Sequence, residues 1–313
     1  MKTKQFGSMH HDIEQAAQIL ADGGLVAMPT ETVYGLGADA LCDQAVAKIY
    51  EAKGRPSFNP LISHMASSDM ARDYVEWTDV AKKLSNAFWP GPMTLVLPAK
   101  QDCAISQLAR AGLPSVAIRV PSHPVARALL SKLARPVAAP SANPSGRISP
   151  TTLDHVLAGL DGRIDAVIDG GPCEMGVEST IISLLDEPVI LRPGNIIIEQ
   201  IQAVLGTGIK TLTDADVITA PGQLTSHYAP NASVRLNATK FKVDEKSLGF
   251  GEIVGDLNLS PSADLREATA NLFSMLHKLD TRQGTKIAIA PIPNHGLGIA
   301  INDRLKRAAA PRN

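Results

Sequence analysis

Residues 29–40 read PTETVYGLGADA and follow the short apolar run LVAM at 25–28, and the reading of this stretch decides the fold. Its second half, Gly35-Leu36-Gly37-Ala38-Asp39-Ala40, matches the loose dinucleotide fingerprint G-x-G-x-x-A. In a doubly wound sheet those glycines open a helix directly, and an acidic residue stands about 20 positions on, at the next strand end. Here the match precedes LCDQ at 41–44, and Glu51 downstream lies inside a predicted helix. The match is therefore read as chance. The first half is a different matter, because a strand leaves the core into Thr30, Glu31 and Thr32. Those groups are either a turn satisfying its own backbone or one wall of a small polar pocket.

Outward from this stretch, residues 12–22 space Ile13, Ala16, Ala17 and Leu20 as a helix that stops before Gly23-Gly24. Residues 43–55 form another, with Val46, Ile49 and Tyr50 on one face, Asp43 as N-cap and a stop at Gly54 and Pro56. Residues 80–92 give a helix broken at Pro90, and 123–134 a further one. Between them stand short, β-rich apolar runs bounded by Gly or Pro, at 60–65, 94–98, 115–121, 136–140, 165–171, 179–185 and 188–194. Strands outnumber helices, and many connections are too short for βαβ crossovers. The expected fold class is α/β, a twisted mixed sheet with helices, over residues 1–205.

Residues 206–232 turn polar and turn-rich, and are expected to form a linker. Beyond it, 233–236, 247–251 and 286–293 read as strands and 298–310 as a final helix. Residues 260–280 read as a helix with Ser260 as N-cap, Pro261 at N1 and Asp264 in the first turn. This alternation predicts a small C-terminal α/β, Rossmann-like domain over residues 233–313.

Composition narrows the class. The 313 residues are long for one core, and they are 44% hydrophobic and 19% charged with a formal net charge of −1. No global field draws in nucleic acid, so any basic surface must be local. Cys42, Cys103 and Cys173 stand far apart, which suggests neither a disulfide framework nor a zinc site; a reducing, cytoplasmic setting is expected. The N-terminus does not read as a signal peptide, and no stretch approaches the roughly 20 apolar residues of a membrane helix.

A Walker loop and a G-x-S-x-G nucleophile elbow are both absent from the sequence. Lys53 and Arg55 flank Gly54 at a helix end, where they either converge on one anion or neutralise the helix C-terminus. Asn59 and His64 follow on or near the next strand. Arg119 sits in an apolar strand, where a charge facing the core needs a partner. Ser141 and Asn143 follow an apolar strand, as a ligand loop or as ordinary turn chemistry. Ser179 opens a strand and Arg192 leaves one. All these basic and hydroxyl groups lie at or beside strand ends. Gathered on one side of the sheet, they would form a cationic, hydroxyl-lined cleft suited to a nucleoside triphosphate and a small polar acid.

At these residues the chain resembles the YrdC-like family, in its two-domain form of threonylcarbamoyladenylate synthases. PTETVYGLGADA resembles the N-terminal motif, and Lys53-x-Arg55 with Ser141-x-Asn143 match the paired KxR and SxN signature. PGQLTSHYAP at 221–230 is similar to the PG…HYAP linker segment, and residues 258–273 and 296–312 resemble the C-terminal domain. The resemblance implies a nucleotidyltransferase that joins L-threonine, bicarbonate and ATP into threonylcarbamoyl-AMP, releasing pyrophosphate and water. A partner transferase would then modify an adenosine beside the anticodon of tRNA. Carried over by position, Thr32, His64, Arg119, Ala139 and Ser179 would hold threonine or its carbamate. Arg55, Asn59, Ser115, Ser141, Ser149, Arg192, His227 and Tyr228 would hold ATP, and the signature residues Lys53, Arg55, Ser141 and Asn143 would be the catalytic ones. Mg²⁺ would arrive with the triphosphate, held mostly by substrate and water rather than by side chains. Gln223, Leu224, Thr225 and Ser226 replace basic residues that many relatives carry before HYAP, so the linker is expected to cover the site as a lid. The rival reading is an RNA-binding module with weak tRNA contact in the same cleft, but aromatics are only 4% and no basic-aromatic stretch resembles a stacking platform. Carbamoyl transfer of the hydrogenase-maturation kind would need zinc-finger cysteines and an acylphosphatase part, which this sequence does not offer.

Overall fold

The Gly- and Pro-bounded runs assemble into two sheets in the computed structural model, which describes residues 2–212, 227–281 and 284–311. The first, eleven-stranded sheet takes β1 (Lys4–Phe6), β2 (Val26–Met28), β3 (Gly35–Asp39), β4 (Ile62–His64), β5 (Met93–Pro98) and β6 (Ser115–Arg119). It continues with β7 (Val137–Ala138), β8 (Ala166–Ile168), β9 (Thr180–Ser183), β10 (Val189–Arg192) and β11 (Lys210–Thr211). Across the sheet the order is β1-β8-β2-β3-β7-β4-β6-β5-β9-β10-β11. It is mixed: β2 runs parallel to β8 but antiparallel to β3, and β4 parallel to β6 but antiparallel to β7.

The fingerprint glycines lie inside β3, paired with β2 so that Gly37 stands opposite Val26 and Gly35 opposite Met28. Gly37 is there for packing, because a Cβ would press on the Val137 side chain and the Val26 carbonyl. No helix opens at these glycines, so the chance reading of the fingerprint holds.

The helices of this part are α1 (His10–Ala21), α2 (Asp43–Lys53), α3 (Ser68–Arg72), α4 (Asp79–Phe88), α5 (Pro124–Leu133), α6 (Leu153–Leu160) and α7 (Ile198–Leu205). Period-two alternation sends Val26 and Met28 to one face, under Leu20 of α1 and Leu129 of α5. It sends Leu25 and Ala27 to the other, with Ile49 of α2, Leu84 of α4, Leu160 of α6 and Ile201 of α7. Each fully buried leucine contributes about 1.5–3 kcal/mol, enough to fix this half of the sheet as a rigid support. On the face of α1 and α5, a separate small cluster of Ile62, Val96, Ala117, Ile181 and Leu191 covers β4, β6, β5, β9 and β10. The candidate site lies beside Ile62.

The second sheet, β12 (Ser233–Arg235), β13 (Lys246–Gly249), β14 (Leu257–Asn258) and β15 (Lys286–Ile289), is parallel throughout, in the order β12-β15-β13-β14. With α8 (Leu265–Leu279) and α9 (Leu297–Ala309) it forms the expected small α/β unit. Its core of Leu248, Leu272, Phe273, Ile287 and Ile301 also takes in Val33, Ile148, Val177 and Tyr228. The second core therefore reaches the PTETV turn itself.

Several local expectations change. α2 is preceded by Cys42 with no side-chain cap, and the Asp43 carboxylate accepts the Ser106 hydroxyl instead. α8 begins at Leu265, not at Pro261, because Ala263 takes a left-handed φ of 59° that a helix cannot include. Asp264 is its N-cap, accepting from the N–H groups of Arg266 and Glu267 at 2.6 and 3.1 Å. Strands β1 and β3 and helices α3 and α6 were not expected from the sequence. The first sheet also runs past residue 205, since Lys210 of β11 pairs with Val189. Gln223, Leu224, Thr225 and Ser226 of the expected lid lie outside the described residues. No helix among the described residues is long and apolar enough to cross a membrane.

Candidate active site

Both readings of the PTETV turn hold. Thr30 Oγ1 accepts from the N–H groups of Thr32 and Val33, each at 3.2 Å, and donates to the Val33 carbonyl at 2.6 Å. The turn thus satisfies its own backbone. Thr30 and Thr32 also line a cavity together with Arg55, His64, Arg119 and Arg192. Thr32 Oγ1 accepts from Arg119 Nη1 at 3.0 Å, and Glu31 Oε1 accepts from Arg119 Nη2 at 2.6 Å. The second Glu31 oxygen takes the Ser122 N–H at 3.1 Å. Burial alone would raise the Glu31 carboxyl, but Arg119 and the Ser122 N–H hold it below its usual value.

Arg119 thereby has the partner that its apolar strand demanded. The parallel register of β4 and β6 sets His64 beside it. Burial, and then the Arg119 charge, push the His64 imidazole down to about 3, so it is neutral. Its Nδ1 is buried without a hydrogen-bond partner among the described residues. Ala139, whose N–H donates to the Ile62 carbonyl at 2.9 Å, lines the same space.

The KxR pair does not converge on one point. Gly54 ends α2 in the left-handed conformation and turns the chain, so Lys53 and Arg55 diverge. Lys53 Nζ donates to the carbonyl of Ser141 at 2.5 Å and to that of Asn143. It does not line the cavity, whereas Arg55 and Ser141 do. Arg55 is braced by the carbonyls of Asn59 and Pro60 at 3.3 and 3.1 Å. Burial chiefly lowers its guanidinium to about 10, with Arg192 adding to the effect, and it stays charged at neutral pH.

Asn143 donates to the carbonyls of Pro144 and Arg147, both at 2.9 Å, and faces a neighbouring groove instead. Asn59 and Ser115 also lie outside the cavity lining. Ser115 alternates in phase with Arg119, at the far end of β6, and continuing the Ile62–Ala117 register sets Pro60 beside it. Asn59 and Ser115 therefore stand at the starts of neighbouring strands, and Arg55 Nε reaches the Asn59 carbonyl. Both polar atoms of the Asn59 amide are buried without a partner among the described residues. Ser149 donates to Glu178 Oε1 at 2.5 Å rather than facing the cavity.

The far wall comes from β9 and β10. Arg192 donates to the Ser179 carbonyl from Nε at 3.1 Å and from Nη2 at 2.9 Å. An irregularity between Ile190 and Arg192 aims it there. Ser179 Oγ lies 2.8 Å from Thr94 Oγ1. His227 and Tyr228 close the remaining side. Burial and the surrounding cations push His227 well below its usual value, and Tyr228 stacks on Phe273 at a φ of 59°. The Tyr228 hydroxyl and His227 Nδ1 are both buried without partners among the described residues.

Three guanidiniums, Arg55, Arg119 and Arg192, thus line one cavity. The nearby carboxylates are both engaged, Glu31 by Arg119 and Glu178 by Ser149 and Arg304. The space is cationic, rimmed by hydroxyls, and suited to holding polyanionic reactants in register. No group of three or more His, Cys, Asp or Glu side chains that could hold a metal ion occurs among the described residues. Glu178 and Arg304 were not expected as site residues, and Glu31 was read only together with Thr30 and Thr32 as one wall of a pocket. Arg304 leaves a legible trace, because it falls in helical phase with Ile301, Leu305 and Ala308 on the buried stripe of α9.

The chain is similar to known proteins over nearly its whole length. Residues 18–194 match the family model Sua5_yciO_yrdC, described as "Telomere recombination". Residues 196–310 match Sua5_C, described as "Threonylcarbamoyl-AMP synthase, C-terminal domain". A threonylcarbamoyl-AMP synthase of Bacillus subtilis is 42% identical, over 99% of this chain and 96% of its own length. One from Pyrococcus abyssi is 40% identical, over 96% and 94% respectively. The crystal structure of P. abyssi Sua5 complexed with L-threonine superposes with a TM-score of 0.90 at 37% identity, covering 99% of this chain and 98% of that one. Escherichia coli YciO shares the fold of the first part, with a TM-score of 0.57 at 23% identity, over 64% of this chain and 99% of its own.

Proposed function

The chain belongs to the Sua5/YciO/YrdC family in its two-domain form, and we propose that its cavity makes threonylcarbamoyl-AMP from L-threonine, bicarbonate and ATP. The observation that carries this reading is the set of three guanidiniums on one cavity whose neighbouring carboxylates are already engaged. Thr32, neutral His64, Arg119, Ala139 and Ser179 receive threonine and its carbamate. Arg55, Ser141, Arg192, His227 and Tyr228 receive ATP, which extends past Arg55 toward Asn59 and Ser115. Ser149 acts on the nucleotide side through Glu178, and Lys53 and Asn143 act by shaping the 141–147 loop.

Threonine's amine attacks bicarbonate, a C–N bond forms, and water leaves to give the carbamate. A carbamate oxygen then attacks the α-phosphorus, and pyrophosphate departs with the bridging oxygen. No side-chain nucleophile is needed, so rate comes from positioning and charge. The buried Glu31 holds Arg119 in one orientation, and Ser179 does the same for Arg192. Mg²⁺, when bound, would neutralise phosphate oxygens; with Glu31 and Glu178 both engaged, the residues fit an ion carried in by the triphosphate and its water. The product would pass to a transferase acting on tRNA beside the anticodon, in the cytoplasm.

Pyrophosphate release, measured with threonine, bicarbonate and ATP each omitted in turn, tests the reading. Dependence on all three is expected. Tight, salt-dependent tRNA binding without turnover would replace it with the RNA-binding reading.

A further inference from the structure

Arg304 is the largest fully buried side chain among the described residues, and it comes from α9, beyond the second sheet. Its Nε donates to Glu178 Oε2 at 2.9 Å, and its Nη1 donates to the Pro193 carbonyl at 2.9 Å. Asp303 accepts a further bond from Nη1 at 2.7 Å and is itself held by Arg307 Nε at 2.9 Å. The guanidinium carbon lies 5.4 Å from the centre of the Tyr228 ring, within cation–π range. The Arg307 carbonyl accepts the His227 N–H at 3.3 Å.

These contacts surround one point. Glu178 precedes Ser179, and Pro193 follows Arg192, so Arg304 grips the start of β9 and the end of β10, whose side chains form the far wall. It grips them from behind while its guanidinium lies over the ring of Tyr228, which closes that wall. Glu178 lines the cavity, whereas Arg304 does not. Without Arg304, Glu178 would keep only the Ser149 hydroxyl as a direct partner and would turn toward Arg192, withdrawing that charge from a bound phosphate.

We propose that Arg304 is a positioning residue for the nucleotide, through which the C-terminal domain completes the active site. The inference rests on the synthase reading above. It gives the second domain a specific role in the reaction. Arg304 keeps Glu178 occupied so that Arg192 faces the substrate, and it holds Tyr228 in place.

The test compares wild type with Arg304→Lys, Arg304→Met and the double variant Arg304→Met/Glu178→Gln. Pyrophosphate release is measured against ATP and against threonine, and folding is checked by thermal unfolding. Arg304→Lys keeps a charge beside Glu178 but cannot also reach Pro193 and stack on Tyr228. It is expected to lower kcat/KM for ATP about tenfold while KM for threonine moves less than about twofold, since one lost charge-assisted contact is worth about that much. Arg304→Met is expected to lose more, and Glu178→Gln in its background to recover part of that loss by removing the unpaired charge. Wild-type ATP kinetics in Arg304→Lys, or equal losses toward both substrates, would overturn the proposal. If Arg304→Met does not fold, Arg304→Lys decides alone. Wild-type protein that releases no pyrophosphate would instead refute the synthase reading.

Discussion

Glu31 and Arg119, 88 positions apart in the chain, meet at 2.6 Å with both side chains only 4% exposed. A buried ion pair adds little net stability over an apolar pair, but breaking it is costly because one charge is left unpaired. Glu31→Ala should lower the unfolding free energy by about 3–5 kcal/mol at pH 7, read from urea denaturation. Glu31→Ala/Arg119→Leu should be less destabilised than Glu31→Ala alone. A loss below about 1 kcal/mol in Glu31→Ala would mean that Arg119 finds another partner.

Lys53 holds the carbonyls of Ser141 and Asn143, so its ammonium shapes the loop behind the cavity rather than touching a phosphate. Lys53→Met should reduce kcat/KM for ATP by about 10²-fold, as small misplacements of a positioned group do. Lys53→Arg should not rescue it, because a planar fork cannot replace a compact ammonium between two carbonyls. Full activity in Lys53→Arg would return Lys53 to a direct charge role.

The pH dependence of stability follows from groups held away from their usual values. His64 is pushed from 6.5 down to about 3, so the unfolded chain binds the proton first and stability falls as pH drops below 6.5. At pH 5 this single imidazole costs about 2 kcal/mol relative to neutral pH. Glu31 and Glu178 are also lowered, and their contribution, intact above about 4.5, is lost at more acidic pH. Denaturation of wild type and His64→Asn at pH 7.5 and 5.0 checks this. The variant should lose about 2 kcal/mol less between the two conditions, and equal losses would show that His64 is charged in the folded protein.

The mixed sheet was legible because Gly and Pro bracket each short apolar run, and the fingerprint was dismissed correctly because no helix opens at Gly35 and Gly37. That these glycines lie inside a strand was not legible, because packing against Val137 is a tertiary fact that no local pattern carries. The cavity's cations were legible as charges at strand ends. Which of them would face inward was not, since that depends on Gly54 turning Lys53 away from Arg55. Glu178 and Arg304 were missed because a pair 126 positions apart leaves no spacing signal beyond a lone charge on the apolar stripe of α9.

Tyr228 joins the two halves of the molecule, stacked on Phe273 from α8 and closing the cavity beside Arg192. Its hydroxyl is buried without a partner among the described residues, and such a group costs about 1–3 kcal/mol that an apolar replacement avoids. A folding role for the hydroxyl predicts that Tyr228→Phe is destabilised; a ligand-binding role predicts the reverse. We expect Tyr228→Phe to unfold at higher urea than wild type, with stability raised by about 1 kcal/mol and KM for ATP raised about fivefold, the loss of one hydrogen bond to the nucleotide. Added ATP should then narrow the stability gap, because it supplies wild type with the partner that the variant no longer needs. A less stable variant with unchanged KM would place the hydroxyl in the fold's own hydrogen bonding and remove Tyr228 from the nucleotide contacts.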